Sequence, residues 1–323
     1  MNVETVVAHG AVLGESPVYE SDTDCILWVD IDGGVLHRTW LPSGRDDREQ
    51  RVAPLSFVGL SSEGLILGEA GRVVTVERRT GRTAGFAAVC VDDVHLRLND
   101  GQVAPDGSAF VGVMPRTPVK GHPLGYLAHI TTRGAVGVVF PHVGLPNGLA
   151  WSPDGSEMFF VDSLARRIDR CLFHPEAEGA VGPRSLFVDT ALYPGLPDGI
   201  TMDAEGNLWV AFWQGGAVRA FAPDGRCIRT LVLPVKSPTS CAFGGAALDS
   251  LFITTAHSSG DALSGSLLAA DVGARGMAAR RFGAADGAKS PAPTTGPHAC
   301  ESAALSASEA TNLRKSSTSG GNR

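Results

Sequence analysis

The chain is poor in charge: Asp, Glu, Lys and Arg make up 19% of its 323 residues. What charge it has leans acidic, with 34 Asp and Glu against 27 Lys and Arg and a formal net charge of −7. A protein held to nucleic acid through phosphate contacts needs a basic stripe, and there is none. No apolar run is long enough to cross a bilayer. The opening MNVETVVAHG has neither the basic leader nor the apolar segment of a secretory signal. The six cysteines (Cys25, Cys90, Cys171, Cys227, Cys241, Cys300) form no C-x-x-C pair. Without a secretion signal they read as free thiols of a cytoplasmic protein, with Cys25, Cys171 and Cys241 as small core residues. Also missing are a G-x-S-x-G elbow, a Walker loop and a Rossmann glycine fingerprint, which removes the serine-hydrolase, nucleotide and NAD readings.

Glycine and turns are abundant instead. There are 40 Gly and 20 Pro, too many for a helical protein, and 43% hydrophobic residues, enough for a core. Six segments share one pattern, a polar turn followed by a β-prone apolar run: DTDCILWVD, SSEGLILGE, PDGSAFVGV, PDGSEMFFVD, AEGNLWVAF and LDSLFITTA. Their centres, Trp28, Ile66, Phe110, Phe160, Trp209 and Phe252, lie 38, 44, 50, 49 and 43 residues apart. A period of this length with several strands per unit predicts an all-β fold, a six-bladed β-propeller with four-stranded blades, over residues 1–283. A pair of β-sandwiches would explain strands but not the period. Second turns at Gly44, Gly81, Gly134 and Gly225 fit outer hairpins. The ring must close, and the segment from Glu4 to His9 is expected to complete the last blade. Residues 284–323 are mostly Ala, Ser, Thr, Gly and Pro and are expected to be a disordered low-complexity tail.

In a propeller the first strand of each blade lines the axis, so equivalent positions converge. Asn99, Asn147 and Asp198 each stand eight residues before the turn glycine of their unit, Gly107, Gly155 and Gly206. Glu15 in GESP and Thr239 in SPTS hold the corresponding places in the first and sixth units, whereas FVGL in the second offers no carboxylate. Taken singly, Asn147 with Gly148 and Asp198 with Gly199 are ordinary turn dipeptides, and Glu15 reads as a solvated loop carboxylate. The shared offset argues for a set. Two carboxylates and amide oxygens at one spot suit a divalent cation such as Ca2+, Mg2+ or Mn2+, and Zn2+ remains open. Arg97 alternates to the same strand face as Asn99 and is placed to reach a polar ligand or to form a rim salt bridge. His95 and His257, near channel-side segments, read as surface or core residues.

GESPVY, RLNDGQVAPDGSAFVGVM, LPNGLAWSPDG, LPDGITMDAEGNLWVAFW and SPTSCAFGG followed by LFITTA resemble, in order, the motifs of the regucalcin/gluconolactonase family. The likeness runs from about residue 10 to residue 282. It implies a six-bladed propeller with one divalent cation (Ca2+, Zn2+, Mn2+ or Mg2+) and hydrolysis of sugar lactones to aldonic acids. By motif, Glu15, Asn147 and Asp198 match the family's metal ligands. Asp198 also matches its general base, and Arg97 and Asn99 match residues that contact the sugar hydroxyls. Two departures stand out. Tyr19 replaces a frequent Trp, and PVKGHPLGYL lacks an acid that contacts substrate in some members, so Lys120 or His122 is expected to face that space. The implied partner is a small sugar lactone, with no nucleic acid, membrane or obligate protein partner. The alternatives are a non-catalytic Ca2+-binding regulatory propeller and a metal-dependent esterase of another substrate class.

Overall fold

Short apolar runs between glycine turns bury both faces only by stacking sheet on sheet. Six small antiparallel sheets do this around one axis. The computed structural model describes residues 2–8, 10–118 and 124–284, all within the unit Met1–Ala288. Lys120, His122 and the expected tail beyond Ala284 lie outside the described residues.

The innermost strands are Gly14–Glu20, Leu55–Ser61, Leu96–Val103, Pro146–Trp151, Leu196–Met202 and Pro238–Gly244, which define blades one to six. Each touches the innermost strand of the next blade, and the sixth returns to the first, so the fold is a closed six-bladed propeller. The repeat centres Trp28, Ile66, Phe110, Phe160, Trp209 and Phe252 all lie on second strands and are buried. They pack between adjacent sheets; Trp209, for instance, meets Phe243 of the next blade edge to face. The turn glycines Gly107, Gly155 and Gly206, and the outer-hairpin glycines Gly44, Gly81, Gly134 and Gly225, have φ between 68° and 84°. Only glycine takes that backbone without strain, which is why the repeat shows in the sequence.

The N-terminal strand is Val3–Val7, slightly shorter than the expected segment. It pairs antiparallel with Leu267–Asp271 and supplies the outermost strand of blade six. Two blades exceed four strands. Arg281–Phe282 adds parallel to the innermost strand of blade two, and Ala180–Val181 forms a short ladder in blade four. All five described cysteines are free thiols. No helix among the described residues is long and apolar enough to cross a membrane.

Deleting residues 1–8 would expose the edge of Leu267–Asp271. The truncated protein should melt several degrees lower and associate at high concentration in size-exclusion chromatography. An unchanged melting temperature would show that this closure contributes nothing.

Candidate functional site

Every innermost strand is interrupted at the same point. The ladder to the second strand shifts register between Glu15 and Val18, Leu55 and Phe57, Leu98 and Gly101, Pro146 and Leu149, Pro197 and Ile200, and Pro238 and Ser240. Such bulges free a residue from the pleat and re-aim its side chain. The residues placed there are Ser56, Asn99, Asn147, Asp198 and Thr239; Glu15, still paired with Val29, flanks the shift in its strand.

Four of them converge. Glu15, Asn99, Asn147 and Asp198 line one cavity of about 250 Å3, together with Arg97. Leu13, Met114, Leu145, Leu196 and Trp213 form its apolar wall, and Arg116 also borders it. The remaining bulge residues act as staples. The Ser56 hydroxyl donates to Leu98 O at 2.8 Å, joining blades two and three. The Thr239 hydroxyl donates to Gly14 O, closing blade six onto blade one. His95 and His257 are exposed and do not border the cavity.

A short relay orients the amide at the centre. The Ser163 hydroxyl donates to Pro197 O at 2.6 Å, so its oxygen accepts from Asn147 Nδ2 at 3.1 Å. The Asn147 carbonyl oxygen is thereby turned away from Ser163, and Asn99 Nδ2 approaches it at 3.3 Å. Asn99 Nδ2 also donates to Pro146 O at 2.9 Å, while its Oδ1 accepts from Arg97 Nη1 at 2.9 Å. Arg97 Nη1 donates in addition to Leu98 O, again at 2.9 Å.

Burial dominates the electrostatics. It pushes the Glu15 carboxyl well above its usual range, and the charges of Asp198 and Asp100 push it further. Asp198 is raised well above its usual range first by burial and then by Asp100. Asp100 itself is pushed up to about 6 by burial. It points away from Asn99, into a separate cavity of about 100 Å3 that Gln102 and Ser240 also line. Burial also lowers the Arg97 pKa, and the more exposed Arg116 adds to this. Two buried like-charged carboxylates beside an oriented amide oxygen form a hard donor set that lacks only a positive charge. Among the described residues no three His, Cys, Asp or Glu side chains are grouped to share an ion. The third donor would therefore be the Asn147 amide. Glu15, Asn147 and Asp198 fit a divalent cation on those grounds.

Residues 13–257 match the family model described as the SMP-30/Gluconolactonase/LRE-like region. The chain belongs to this family. It is similar to the pentonolactonase XacC of Haloferax volcanii, with 36% identity over 270 residues covering 82% of this chain and 89% of that protein. Regucalcin of Xenopus laevis is 33% identical over 264 residues, covering 79% and 87% of the two chains. Among solved structures, the calcium-binding protein regucalcin of Agrobacterium tumefaciens superposes with a TM-score of 0.82 at 25% identity, covering 87% of this chain and 97% of that one.

Within this SMP-30/gluconolactonase propeller, sequence reasoning missed Ser163, Asp100, Arg116 and Trp213. It also missed Ser56, although Ser56 stands eight residues before Gly64 and so obeys the same offset.

The raised carboxyls generate a pH prediction for the cation-free protein. A carboxyl whose pKa is higher folded than unfolded adds stability at low pH, and that stability is lost as pH rises through the folded value. For Asp100 the window runs from the ordinary value of 3.8 to about 6, and Glu15 and Asp198 act in the same direction. Chelator-treated protein should therefore gain melting temperature between pH 7 and pH 5, and Asp198→Asn should melt higher than wild type at pH 7. Thermal melts in which Asp198→Asn is destabilised would contradict this account of the site.

Proposed function

We propose that the protein is a metal-dependent hydrolase that opens sugar lactones to the corresponding aldonic acids. Glu15, Asn147 and Asp198 hold one divalent cation and Asp198 handles the proton. The observation that carries the reading is the convergence of those three residues, from three blades and each at or beside the bulge of its innermost strand, on one small cavity. Kinship to a pentonolactonase supports the lactone as substrate, and likeness to a calcium-binding regucalcin supports the cation.

A divalent cation bound there supplies positive charge beside the lactone carbonyl and makes water more acidic. The chain's own groups do the rest. Arg97 donates hydrogen bonds toward the sugar hydroxyls, and Asn99, whose Nδ2 is taken up by Pro146 O and Asn147 Oδ1, accepts through its remaining Oδ1 lone pair; together they fix the ring. The apolar wall with Trp213 covers its C–H face and excludes water. Asp198 takes a proton from the attacking water as the water oxygen bonds to the carbonyl carbon. The ring C–O bond then breaks, and the proton passes to the departing ring oxygen to give the hydroxy acid. Cation binding lowers the basicity of Asp198. Burial and the carboxylate of Asp100 act in the opposite sense and keep it competent as a base. The reading needs no nucleic acid, membrane or protein partner, and the five free thiols, of which Cys25, Cys171 and Cys241 are buried, suit a cytoplasmic setting.

The test is an aldono-1,4- and 1,5-lactone panel followed by acid release, on protein stripped of metal and reloaded with Ca2+, Zn2+, Mn2+ or Mg2+. Wild type should turn over at least one lactone only when loaded. Asp198→Asn should stay folded and lose about 10²–10⁴-fold in kcat. Cation binding without turnover of any lactone or ester would favour a regulatory cation-binding propeller instead.

Ser163→Ala leaves every proposed ligand in place but frees the Asn147 amide to rotate. Cation affinity by titration calorimetry should fall about 10–100-fold, as for other residues that orient ligands. Unchanged affinity would remove Ser163 from the site.

A further inference from the structure

The cavity carries two layers of charge. Glu15 and Asp198 are buried within it, and Arg97 and Arg116 also border it. Arg116 is exposed, which places it on the open side. Its backbone N–H donates to His95 O at 2.8 Å and its Nε to Val94 O at 3.0 Å. The side chain is thus pinned through Nε, with Nη1 and Nη2 without a partner among the described residues. Among the described residues neither Arg97 nor Arg116 is in an ion pair: the partners of Arg97 are Leu98 O and Asn99 Oδ1, and that of Arg116 is Val94 O. Asp93, on the loop beside Arg116, accepts instead from the His95 N–H at 2.8 Å. Asp32 acts on Arg97 through space without bonding to it.

The charge balance then points one way. Among the described residues, a divalent cation would neutralise Glu15 and Asp198; Asp100 lines the separate cavity, which leaves Arg97 and Arg116 against Asp32 on this side. A neutral sugar needs donors and acceptors there, not net positive charge. A pinned guanidinium is instead a two-pronged donor shaped for a carboxylate or phosphate. We propose that the preferred lactone carries a second, anionic group at the end of the sugar remote from the lactone carbonyl, a carboxylate or a phosphate, which Arg116 binds at the cavity mouth. This rests on the lactonase reading and narrows its substrate class.

Binding and turnover test the two readings separately. Titration calorimetry on cation-loaded protein would compare gluconate with 6-phosphogluconate and glucarate, the hydroxy-acid products with and without a second anion. Wild type should bind at least one of the doubly charged acids about tenfold more tightly than gluconate. That ratio should shrink as salt rises from about 0.05 to 0.5 M and fall close to one in Arg116→Gln, with Arg116→Lys between. Circular dichroism would confirm that the variants fold. The arm that responds, phosphate or carboxylate, identifies the group. Glucono-1,5-lactone, its 6-phosphate and glucaro-1,4-lactone would be assayed in parallel. Equal binding of all three acids by wild type, or a ratio that survives Arg116→Gln, overturns the proposal while leaving lactonase activity intact. A charge-dependent ratio with no turnover of any lactone upholds anion recognition and refutes the lactonase.

Discussion

Bringing six strands edge-on to a narrow axis is the constraint from which the rest follows. Regular strands would alternate their side chains up and down the pleat and leave nothing aimed across the channel. A register shift at one equivalent point in every innermost strand solves this. The same backbone device then serves two ends according to the residue that occupies it. Hydroxyls at Ser56 and Thr239 bond the neighbouring strand and hold the ring together. Carboxylates and amides at Glu15, Asn99, Asn147 and Asp198 face a shared cavity. Structure and site come from one repeated deviation.

That arrangement strains against stability. Burial together with repulsion from neighbouring carboxylates disfavours charge on Glu15 and Asp198. A buried apolar isostere at either position would suit the fold better, so their presence in a water-poor channel marks a functional demand. The ring tolerates this because the first and second strands together supply a thick apolar layer. Trp28, Trp151 and Trp209, with Phe57, Phe110 and Phe160, are among its largest fully buried side chains. Side-chain-to-backbone bonds, such as Ser16 N-terminal to its bulge proline accepting from Val58 N–H at 3.1 Å, join the inner strands independently of the site.

The fold was legible because each blade repeats one local grammar. A left-handed residue at the hairpins, glycine in most and Asp24 or Leu248 in blades one and six, and a bulky second-strand residue recur at a period that only a propeller explains. The placement of Asn99, Asn147 and Asp198 was legible for the same reason, since an offset from the turn glycine marks a backbone position; Glu15, with Thr23 at that offset, was placed only by its corresponding position in the first unit. The offset does not say how that position is used, which is why it also selects Thr239, a staple, and why Ser56 passed unnoticed. Ser163 carries no such mark. It lies just beyond the second strand of blade four and reaches Asn147 across the hairpin, a contact set by tertiary geometry alone. Arg281–Phe282 is two residues long and pairs parallel, too short for any periodicity to show.

What keeps the two charge layers apart matters as much as their presence. Were Arg97 to fold onto Asp198 or Glu15, the pair would neutralise itself and the cavity would have no use for a cation. The Arg97 guanidinium is drawn away by two neutral acceptors on its own strand, Leu98 O and Asn99 Oδ1, each at 2.9 Å. Asn99 is in turn anchored across the blade boundary to Pro146 O at 2.9 Å. Asn99 therefore acts as a spacer: it ties the arginine to the third blade and abuts the amide of the fourth. The carboxylates and the guanidinium thus stay free of direct ion pairing with one another. A charged residue at position 99 would collapse that separation, since an aspartate would pair with Arg97 and add a third negative charge beside Glu15 and Asp198.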